Sequence, residues 1–266
     1  MDQKIPIPGS NGAYKKRYIL PKILLLIALS FIAIAGIALW IANESLPEGV
    51  ENAMADSLAR EMMAAVNVEK WQQTGAISWT FAGRHAHLWD RERHVAQVVW
   101  GSTVVLVDLN SQSGVAIVDG KLLDRNDPET MELVQKAWEY WCNDSFWLNP
   151  IAKLFDDGTT RKWVETSDSL RGLLITYASG GATPGDSYLW LVGENGLPVA
   201  WKLWVSILPI GGIQLSWEGW QELATGAKVA TIHRNGVFEL ALSDIRAAAT
   251  LTELVPGDDP FTPLFK

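Results

Sequence analysis

The chain has 266 residues, of which 48% are hydrophobic and 20% are charged. This composition suits one globular domain with an attached segment and excludes a disordered or fibrous protein. The net charge of −8 opposes attraction to a phosphate backbone, so nucleic acid is not an expected partner. The single cysteine, Cys142, excludes an internal disulfide framework, and we expect a buried, unreactive thiol. Fourteen tryptophans against five tyrosines predict an unusually aromatic core or groove.

An uninterrupted apolar run lies near the N-terminus. Residues 23–42 read ILLLIALSFIAIAGIALWIA and contain no charge, which is about the length needed to span a ~30 Å hydrocarbon core. A cleaved signal peptide is the alternative, but its apolar region is usually shorter and ends in a small-x-small site. Trp40 and Ile41 precede Ala42 and make a poor cleavage site. The sequence therefore favours an uncleaved membrane anchor.

The charges on the two sides of this run differ in sign. The N-terminal flank is basic and the C-terminal flank is acidic as far as Arg60. By the positive-inside rule we expect a single pass through the inner (cell) membrane, with a basic cytosolic tail at 1–22, an anchor at 23–42 and an extracytoplasmic domain at 43–266. The basic residues are Lys15, Lys16, Arg17 and Lys22, and the acidic ones are Glu44, Glu48, Glu51 and Asp56.

Two amphipathic helices are predicted in the exported part. The first follows Pro47 and ends near Val66. The second begins at Asp127, which can cap it, with Pro128 in its first turn. Apolar residues at near-helical spacing are Val50, Met54, Leu58, Met62 and Ala65 in the first helix, and Met131, Val134, Trp138 and Trp141 in the second.

Most of the remaining chain alternates apolar and polar residues, which is typical of strands with one buried face. The clearest rows lie at 77–81, 199–207, 213–218 and 238–242. Less regular rows lie near 85–90, 94–100, 103–109, 114–118, 162–166, 172–178, 187–193 and 228–234. Turn signals at 193–196 and 235–236 join neighbouring rows. Together they predict an antiparallel meander of about eleven strands with one polar face.

A large twisted sheet with a single apolar face can bury that face by curling around helices. We therefore predict an α+β fold in which a transmembrane helix is followed by a large curved antiparallel sheet. This sheet is expected to form an open half-barrel of about eleven strands over residues 43–266, with the two amphipathic helices against its concave face.

The order of these elements resembles the bacterial lipoprotein-carrier half-barrels, the localisation-factor family. The resemblance covers most of residues 50–246. The segments that carry it are the helix near 53–66, ISWTF, ETMELVQKAWEYWCND, SYLWLVG, VAWKLWVSI and IQLSWEGW. It implies a concave face that holds acyl chains. Carriers of that family that shuttle are soluble, whereas this chain carries its own predicted anchor.

Three of the four histidines lie in the segment RHAHLWDRERH. If a tight turn at Arg91-Glu92 joins two strands, His85, His87 and His94 share one face and could hold zinc or copper. The alternative is a solvated strand face whose histidines bond ordinary neighbours. Because His-x-His alone is a weak signal, we favour this alternative and predict no metal and no cofactor.

The segment Gly185-Asp186-Ser187-Tyr188-Leu189 matches the nucleophile block of GDSL-type hydrolases. Its context differs, because that block opens a parallel α/β domain and an Asp-x-x-His element follows near the chain end. Here the only downstream histidine is His233, without an adjacent acidic residue. We therefore expect Ser187 to form a turn, and we expect no enzyme.

Six tryptophans are predicted to face the interior and line an apolar hollow. Plain core packing explains the same rings equally well. The segment 143–150 could form the rim of the hollow or cover a core edge. The predicted ligand-binding residues are Trp79, Trp138, Trp141, Trp190, Trp201 and Trp217.

Three functional hypotheses follow from these patterns. The first is a membrane-anchored, non-catalytic protein that binds a lipid, acyl chain or lipoprotein in the hollow. The second is an envelope sensor or scaffold with a filled core that binds a protein partner. The third is a hydrolase that uses Ser187 or a metal site at His85, His87 and His94.

Overall fold

A computed structural model describes residues 19–166, 169–179, 183–236 and 238–266. The chain divides into two compact units, residues 1–45 and 46–266. The first unit contains helix α1 (Ile19–Ala42), whose 24 residues span roughly 36 Å at 1.5 Å per residue. This helix is long and apolar enough to cross a membrane, and a signal sequence near an N-terminus has the same properties. Residues 1–18 of the predicted cytosolic tail, which include Lys15, Lys16 and Arg17, lie outside the described residues.

The described residues of the second unit form four α-helices. The first of these, α2, is capped by Asn52, whose side chain accepts a hydrogen bond from the Ala55 amide at 3.0 Å. As predicted, Asp127 caps helix α4, accepting from the Glu129 amide at 2.9 Å. The helices are α2 (Ala53–Ala65), α3 (Val68–Gln72), α4 (Pro128–Leu148) and α5 (Leu251–Leu254), with 3-10 turns at Pro150–Lys153 and Thr262–Phe265.

The strands pair antiparallel throughout the described part of this unit. Strands β1 to β6 form one meander and β7 to β11 a second. The strands are β1 (Ala76–Phe81), β2 (His85–Asp90), β3 (Val95–Trp100), β4 (Thr103–Asp108), β5 (Ser113–Val118), β6 (Lys121–Leu122), β7 (Thr159–Val164), β8 (Arg171–Tyr177), β9 (Ser187–Val192), β10 (Pro198–Trp204), β11 (Ile213–Ser216), β12 (Gln221–Glu222), β13 (Lys228–Val229), β14 (Ile232–Arg234) and β15 (Glu239–Ala248).

The strands form an eight-stranded sheet, ordered β14-β15-β1-β2-β3-β4-β5-β6, and a five-stranded sheet, ordered β11-β10-β9-β8-β7. An isolated bridge between Glu218 and Ile232 connects the end of β11 to β14, so the two sheets continue into one another. Strand β15 returns to pair with β1 and places the last strand beside the first. The sheet does not close on itself. The predicted α+β fold with an open antiparallel sheet and packed helices is confirmed.

Helices α2 and α4 each cover one part of the inner sheet face. Helix α2 buries Leu58 and Met62 against the five-stranded sheet. Helix α4 buries Val134 and Ala137 against β3 to β5. The predicted apolar faces of the two helices need correction, because Val50, Met54 and Met131 are exposed. Val50 precedes α2 and forms a bridge with Trp163 instead.

The outer face of the eight-stranded sheet is not wholly polar, which corrects the prediction of one wet face. Leu88, Leu106 and Val115 are buried on that face beneath the C-terminal segment. Phe261 of this segment is fully buried, and Arg93 holds Asp259 through two hydrogen bonds of 2.7 and 2.9 Å. The chain end therefore forms an outer layer that the alternation pattern did not predict.

Two boundaries differ from the sequence prediction. Strand β10 ends at Trp204, and residues 205–212 form a loop rather than continued strand to 207. Residues 143–148, part of the segment predicted to form the rim of the hollow or to cover a core edge, continue helix α4 as far as Leu148. Phe146 and Trp147 of this helical segment are partly buried and pack against the core cluster on the inner face of the five-stranded sheet.

Candidate functional site

An aromatic cluster fills the inner face of the five-stranded sheet. Trp190 on β9 and Trp201 on β10 are direct cross-strand partners, and Trp217 follows β11. The ring centroids of these three side chains lie 4.8 to 4.9 Å apart in every pairing. All three rings are 2% exposed or less. Alternating strand residues therefore place three indoles on one buried surface.

Residues of α4 complete this cluster from the opposite side. The Trp147 ring lies 4.9 Å from Trp201, and Phe146 lies 5.2 Å from Tyr188. Burial raises the pKa of Tyr188 and of the neighbouring Tyr177 well above the ordinary phenol value. Both phenols are therefore neutral at any physiological pH, and the cluster carries no negative charge from them.

The polar atoms of this interior are mostly donors without acceptors. Among the described residues, nothing accepts a hydrogen bond from the indole nitrogens of Trp190, Trp201 and Trp217. The Tyr177 hydroxyl is also buried without a protein partner. Buried tryptophan and tyrosine usually find a partner, and an unmade bond costs about 1–3 kcal/mol per group. The cluster therefore presents several buried donors that a ligand oxygen could satisfy.

The six predicted tryptophans do not form one site. Trp79 and Trp141 lie in the eight-stranded part, where Trp79 stacks on His87 and Trp141 contacts Trp89 edge-on. Trp138 is half-buried against the cluster around Val134. Like the indole nitrogens of the cluster around Trp201, those of Trp79 and Trp141 are buried without a hydrogen-bond partner among the described residues. Whether any of these rings binds a ligand remains a prediction.

The loop after β10 carries a shallow surface pocket of about 210 Å³. This volume is smaller than the roughly 300–1,000 Å³ typical of small-molecule sites. None of the six predicted tryptophans lines it. Its lining residues are Trp204, Val205, Leu208, Pro209, Ile210 and Gly211.

A second polar cluster joins β2 to α4. His85 and His87 lie two residues apart on one face of β2, so both rings point toward the helix. Nδ1 of His85 lies 2.8 Å and Nε2 of His87 lies 2.7 Å from Oδ2 of Asp144. The Asp144 side chain is 1% exposed, that of His87 is 0% and that of His85 is 16%. Two imidazoles thus bind one buried carboxylate oxygen.

Neighbouring side chains fix the orientation of this cluster. The Trp79 ring stacks on His87 at 4.4 Å, and the Tyr140 ring stacks on His85 at 3.9 Å. Asn143 donates from Nδ2 to Oδ1 of Asp144 at 2.8 Å. Desolvation lowers the pKa of His87, although the hydrogen bond to Asp144 acts in the opposite direction. His87 is therefore a neutral imidazole near pH 7.

His94 does not belong to this cluster, which corrects the predicted three-histidine arrangement. The hairpin pairs Asp90 with Val95, so residues 91–94 form the turn and His94 has a left-handed φ of 56°. Its ring lies 5.7 Å from the Trp141 ring.

The sequence indicated His85 and His87 through their i, i+2 spacing. It carried no signal for Asp144, which is 57 residues from His87.

Ser187 begins strand β9 rather than forming a turn. Its hydroxyl lies 2.7 Å from the Thr176 hydroxyl on the adjacent strand. His233, the candidate base, instead has Nδ1 3.2 Å from the Ser216 carbonyl oxygen. Ser187 and His233 therefore each have a different hydrogen-bond partner. Cys142 is a free, half-buried thiol whose pKa is raised by burial to about 11, in line with an unreactive thiol.

No protein-family model matches the chain, and a search of curated proteins finds no match. The solved structures that match this chain include the following two. A DUF1329 family protein from Desulfovibrio piger aligns with a TM-score of 0.41 and 10% identity, covering 77% of this chain and 96% of the other. A domain described as an outer membrane lipoprotein-sorting protein, from Vibrio parahaemolyticus, aligns with a TM-score of 0.37 and 10% identity. That alignment covers 71% of this chain and 93% of the other. Neither similarity assigns a ligand or an activity to this chain.

Proposed function

We propose that this chain is a membrane-anchored, extracytoplasmic, non-catalytic protein that binds a lipid, acyl chain or acylated polypeptide between the sheet and helices α2 and α4. One observation carries the proposal: the buried aromatic interior holds indole N–H donors for which the described residues supply no acceptor. Ester and amide carbonyls at the head of an acyl chain are acceptors attached to a long apolar group. Such a ligand matches both properties of the interior.

Entry of an acyl chain requires α2 to separate from the sheet. Ion pairs attach this helix at its solvent side, with Glu61 bound by Arg171 at 2.6 and 2.8 Å and Asp56 bound by Arg161 at 2.7 Å. The two carboxylates are 41% and 38% exposed, and surface pairs contribute about 0–1 kcal/mol each, with the bidentate Glu61–Arg171 pair at the upper end of that range. The main resistance to separation therefore comes from the buried apolar face of α2.

The driving force for binding is the burial of methylene groups. Each buried CH₂ contributes about 0.8 kcal/mol, so two additional methylenes strengthen binding by roughly 1.6 kcal/mol, or about 15-fold. Affinity should therefore rise steeply with chain length until the interior is filled. This dependence distinguishes binding in an apolar interior from attraction to the surface.

The anchor and its orientation belong to the same proposal. We propose that α1 stays attached and that the domain faces the extracytoplasmic side. Protease added to intact spheroplasts should then degrade the domain, and protease added to inverted membrane vesicles should leave it intact. Degradation in the inverted vesicles alone, or release of a chain lacking α1 into the soluble fraction, would contradict it.

Quenching of tryptophan fluorescence by brominated acyl esters tests ligand binding. The full chain, carrying Trp40→Phe to remove the membrane-segment indole, is held in detergent and titrated with esters that differ by two methylenes. We expect saturable quenching at one ester per chain, with tighter binding of the longer ester. Trp201→Phe removes one interior donor while keeping an aromatic ring, and it should weaken binding severalfold.

A matched control uses a tryptophan whose donor already has a partner. The indole nitrogen of Trp163 donates to Glu165 at 2.7 Å, so Trp163→Phe should leave ester affinity unchanged. Equal affinity for short and long esters, or no saturable quenching, would contradict the proposal.

A filled core is the second candidate. The contacts of Trp190, Trp201 and Trp217 at 4.8 to 4.9 Å favour it, because such packing stabilises a core without any ligand. In that case the domain acts as an envelope sensor or scaffold for a protein partner. Unquenched interior tryptophans in a stably folded chain would favour this candidate.

A further inference from the structure

We propose that His85, His87 and Asp144 form a binding site for a divalent transition-metal ion of the zinc class. Their three ligand atoms lie within 4.8 Å of one another. Two histidines from β2 and one aspartate from α4 supply the set. The site is separate from the cluster around Trp201 on which the proposed lipid binding rests.

The donor set fits zinc in number and type. Zinc takes imidazole nitrogen and carboxylate oxygen at about 2.0–2.2 Å, and three protein ligands leave a fourth position for water. Ligand atoms around a tetrahedral ion lie about 3.3 Å apart. Nδ1 of His85 and Nε2 of His87 lie 2.8 and 2.7 Å from Oδ2 of Asp144, so each of these two separations must open by about half an ångström around the ion.

The charge balance at Asp144 also favours a cation. Within the described part of the chain, no lysine or arginine lies within 4.0 Å of this carboxylate, and its only ion-pair partners are the two histidines. Its side chain is 1% exposed. Buried carboxylates are normally paired with a cation or coordinate a metal. A divalent ion bound at Oδ2 of Asp144 would supply that positive charge.

The surroundings would hold the ligands in place. Asn143 occupies Oδ1 of Asp144, leaving Oδ2 for the ion, and the Trp79 and Tyr140 rings stack on the two imidazoles. An ion bound at Nδ1 of His85 and Nε2 of His87 would leave the other nitrogen of each ring to carry its proton. Nδ1 of His87 has no partner among the described residues in either tautomer. His85, 16% exposed, provides the side from which water and the ion enter.

Zinc titration of the full, tag-free chain in detergent, after removal of bound metal with a chelator, tests the site. Isothermal titration calorimetry should show one Zn²⁺ per chain. His85→Gln and Asp144→Asn should each weaken affinity by about tenfold or more. His94→Gln is the matched control, since that residue lies outside the cluster, and it should bind as the wild-type chain does.

Two further readouts separate this site from a structural role of the same residues. Zinc should raise the unfolding temperature of the wild-type chain and of His94→Gln, and have a smaller effect on His85→Gln. Cobalt should give the strong visible bands of four-coordinate Co²⁺ without a thiolate charge-transfer band, which excludes Cys142 as the ligand. Absence of stoichiometric binding at tens of micromolar zinc, or equal affinities of His85→Gln and His94→Gln, would overturn the proposal.

Discussion

His233 shows how the aromatic interior acts on a single titratable side chain. The residue is 0% exposed, and its ring lies 4.4 Å from Trp217 and 5.2 Å from Trp147. Nδ1 lies 3.2 Å from the Ser216 carbonyl oxygen, whereas Nε2 has no partner among the described residues. Burial lowers the pKa of His233 to about 4, from its ordinary value of about 6.5. The ring is therefore neutral in the folded chain near pH 7.

Replacing His233 should reduce the acid sensitivity of the domain. Because the pKa is lower in the folded state, the unfolded chain binds the proton first, and stability is lost as pH falls from about 6.5 toward 4. Between pH 7 and pH 5 this residue should account for about 2 kcal/mol. Urea unfolding of the full chain at both pH values should show that His233→Gln loses less free energy of unfolding between pH 7 and pH 5 than the wild-type chain does. An equal loss in both chains would show that His233 is not the source.

At the scale of single elements, helix α2 was predicted well in extent but not in orientation. The sequence indicated a helix near 53–66, and the structure has it at Ala53–Ala65. The face toward the sheet consists of Ala55, Leu58, Ala59 and Met62, so Met54 points to solvent. A spacing of four residues follows the helix only approximately, and the stripe therefore drifts around its axis.

Two methionines of α2 test this orientation. Met62 is 0% exposed and packs in the cluster with Trp190 and Trp201, whereas Met54 is 53% exposed. Met62→Ala should lower the free energy of unfolding by about 2–5 kcal/mol, because it leaves a cavity. Met54→Ala, the same change on the same helix, should alter it by no more than about 0.5 kcal/mol. Urea titrations followed by circular dichroism compare them, and similar losses would contradict the structure.

At the scale of the whole molecule, the C-terminal segment gives the eight-stranded sheet a second layer. Phe261 is buried among Leu88, Leu106 and Val115, and Arg93 also lies 5.4 Å from its ring centroid. Arg125 donates to the carbonyl oxygen of Leu264 at 2.8 Å. Residues near the chain end are thereby tied to the first half of the domain.

Two phenylalanines of this segment measure its contribution. Phe261→Ala should destabilise the domain by about 3–5 kcal/mol, since the side chain is fully buried. Phe265 is 59% exposed, and Phe265→Ala should change stability by about 0.5 kcal/mol or less. Thermal unfolding of both variants checks this expectation. A tolerated Phe261→Ala would mean that the outer layer contributes little.

Several features could be predicted from the sequence because they depend on neighbouring residues. Alternation identified the strand at 85–90 without error, and Asp127-Pro128 marked the start of α4. The length of the apolar run and its lack of charge predicted the apolar helix near the N-terminus. In each case, the signal lies within one element, where side-chain period and capping chemistry act over a few residues.

Other features were decided only by the tertiary structure. Asp144 meets His85 across 59 residues of chain, and β15 pairs with β1 across most of the domain. The four-residue turn that removes His94 from the histidine face depends on the register of β2 and β3. Register and long-range pairing are set by how all buried surfaces fit together, because a local pattern has the same energy in many pairings until the partners are present. The sequence alone thus determined the elements, and the packing determined which side chains share a site.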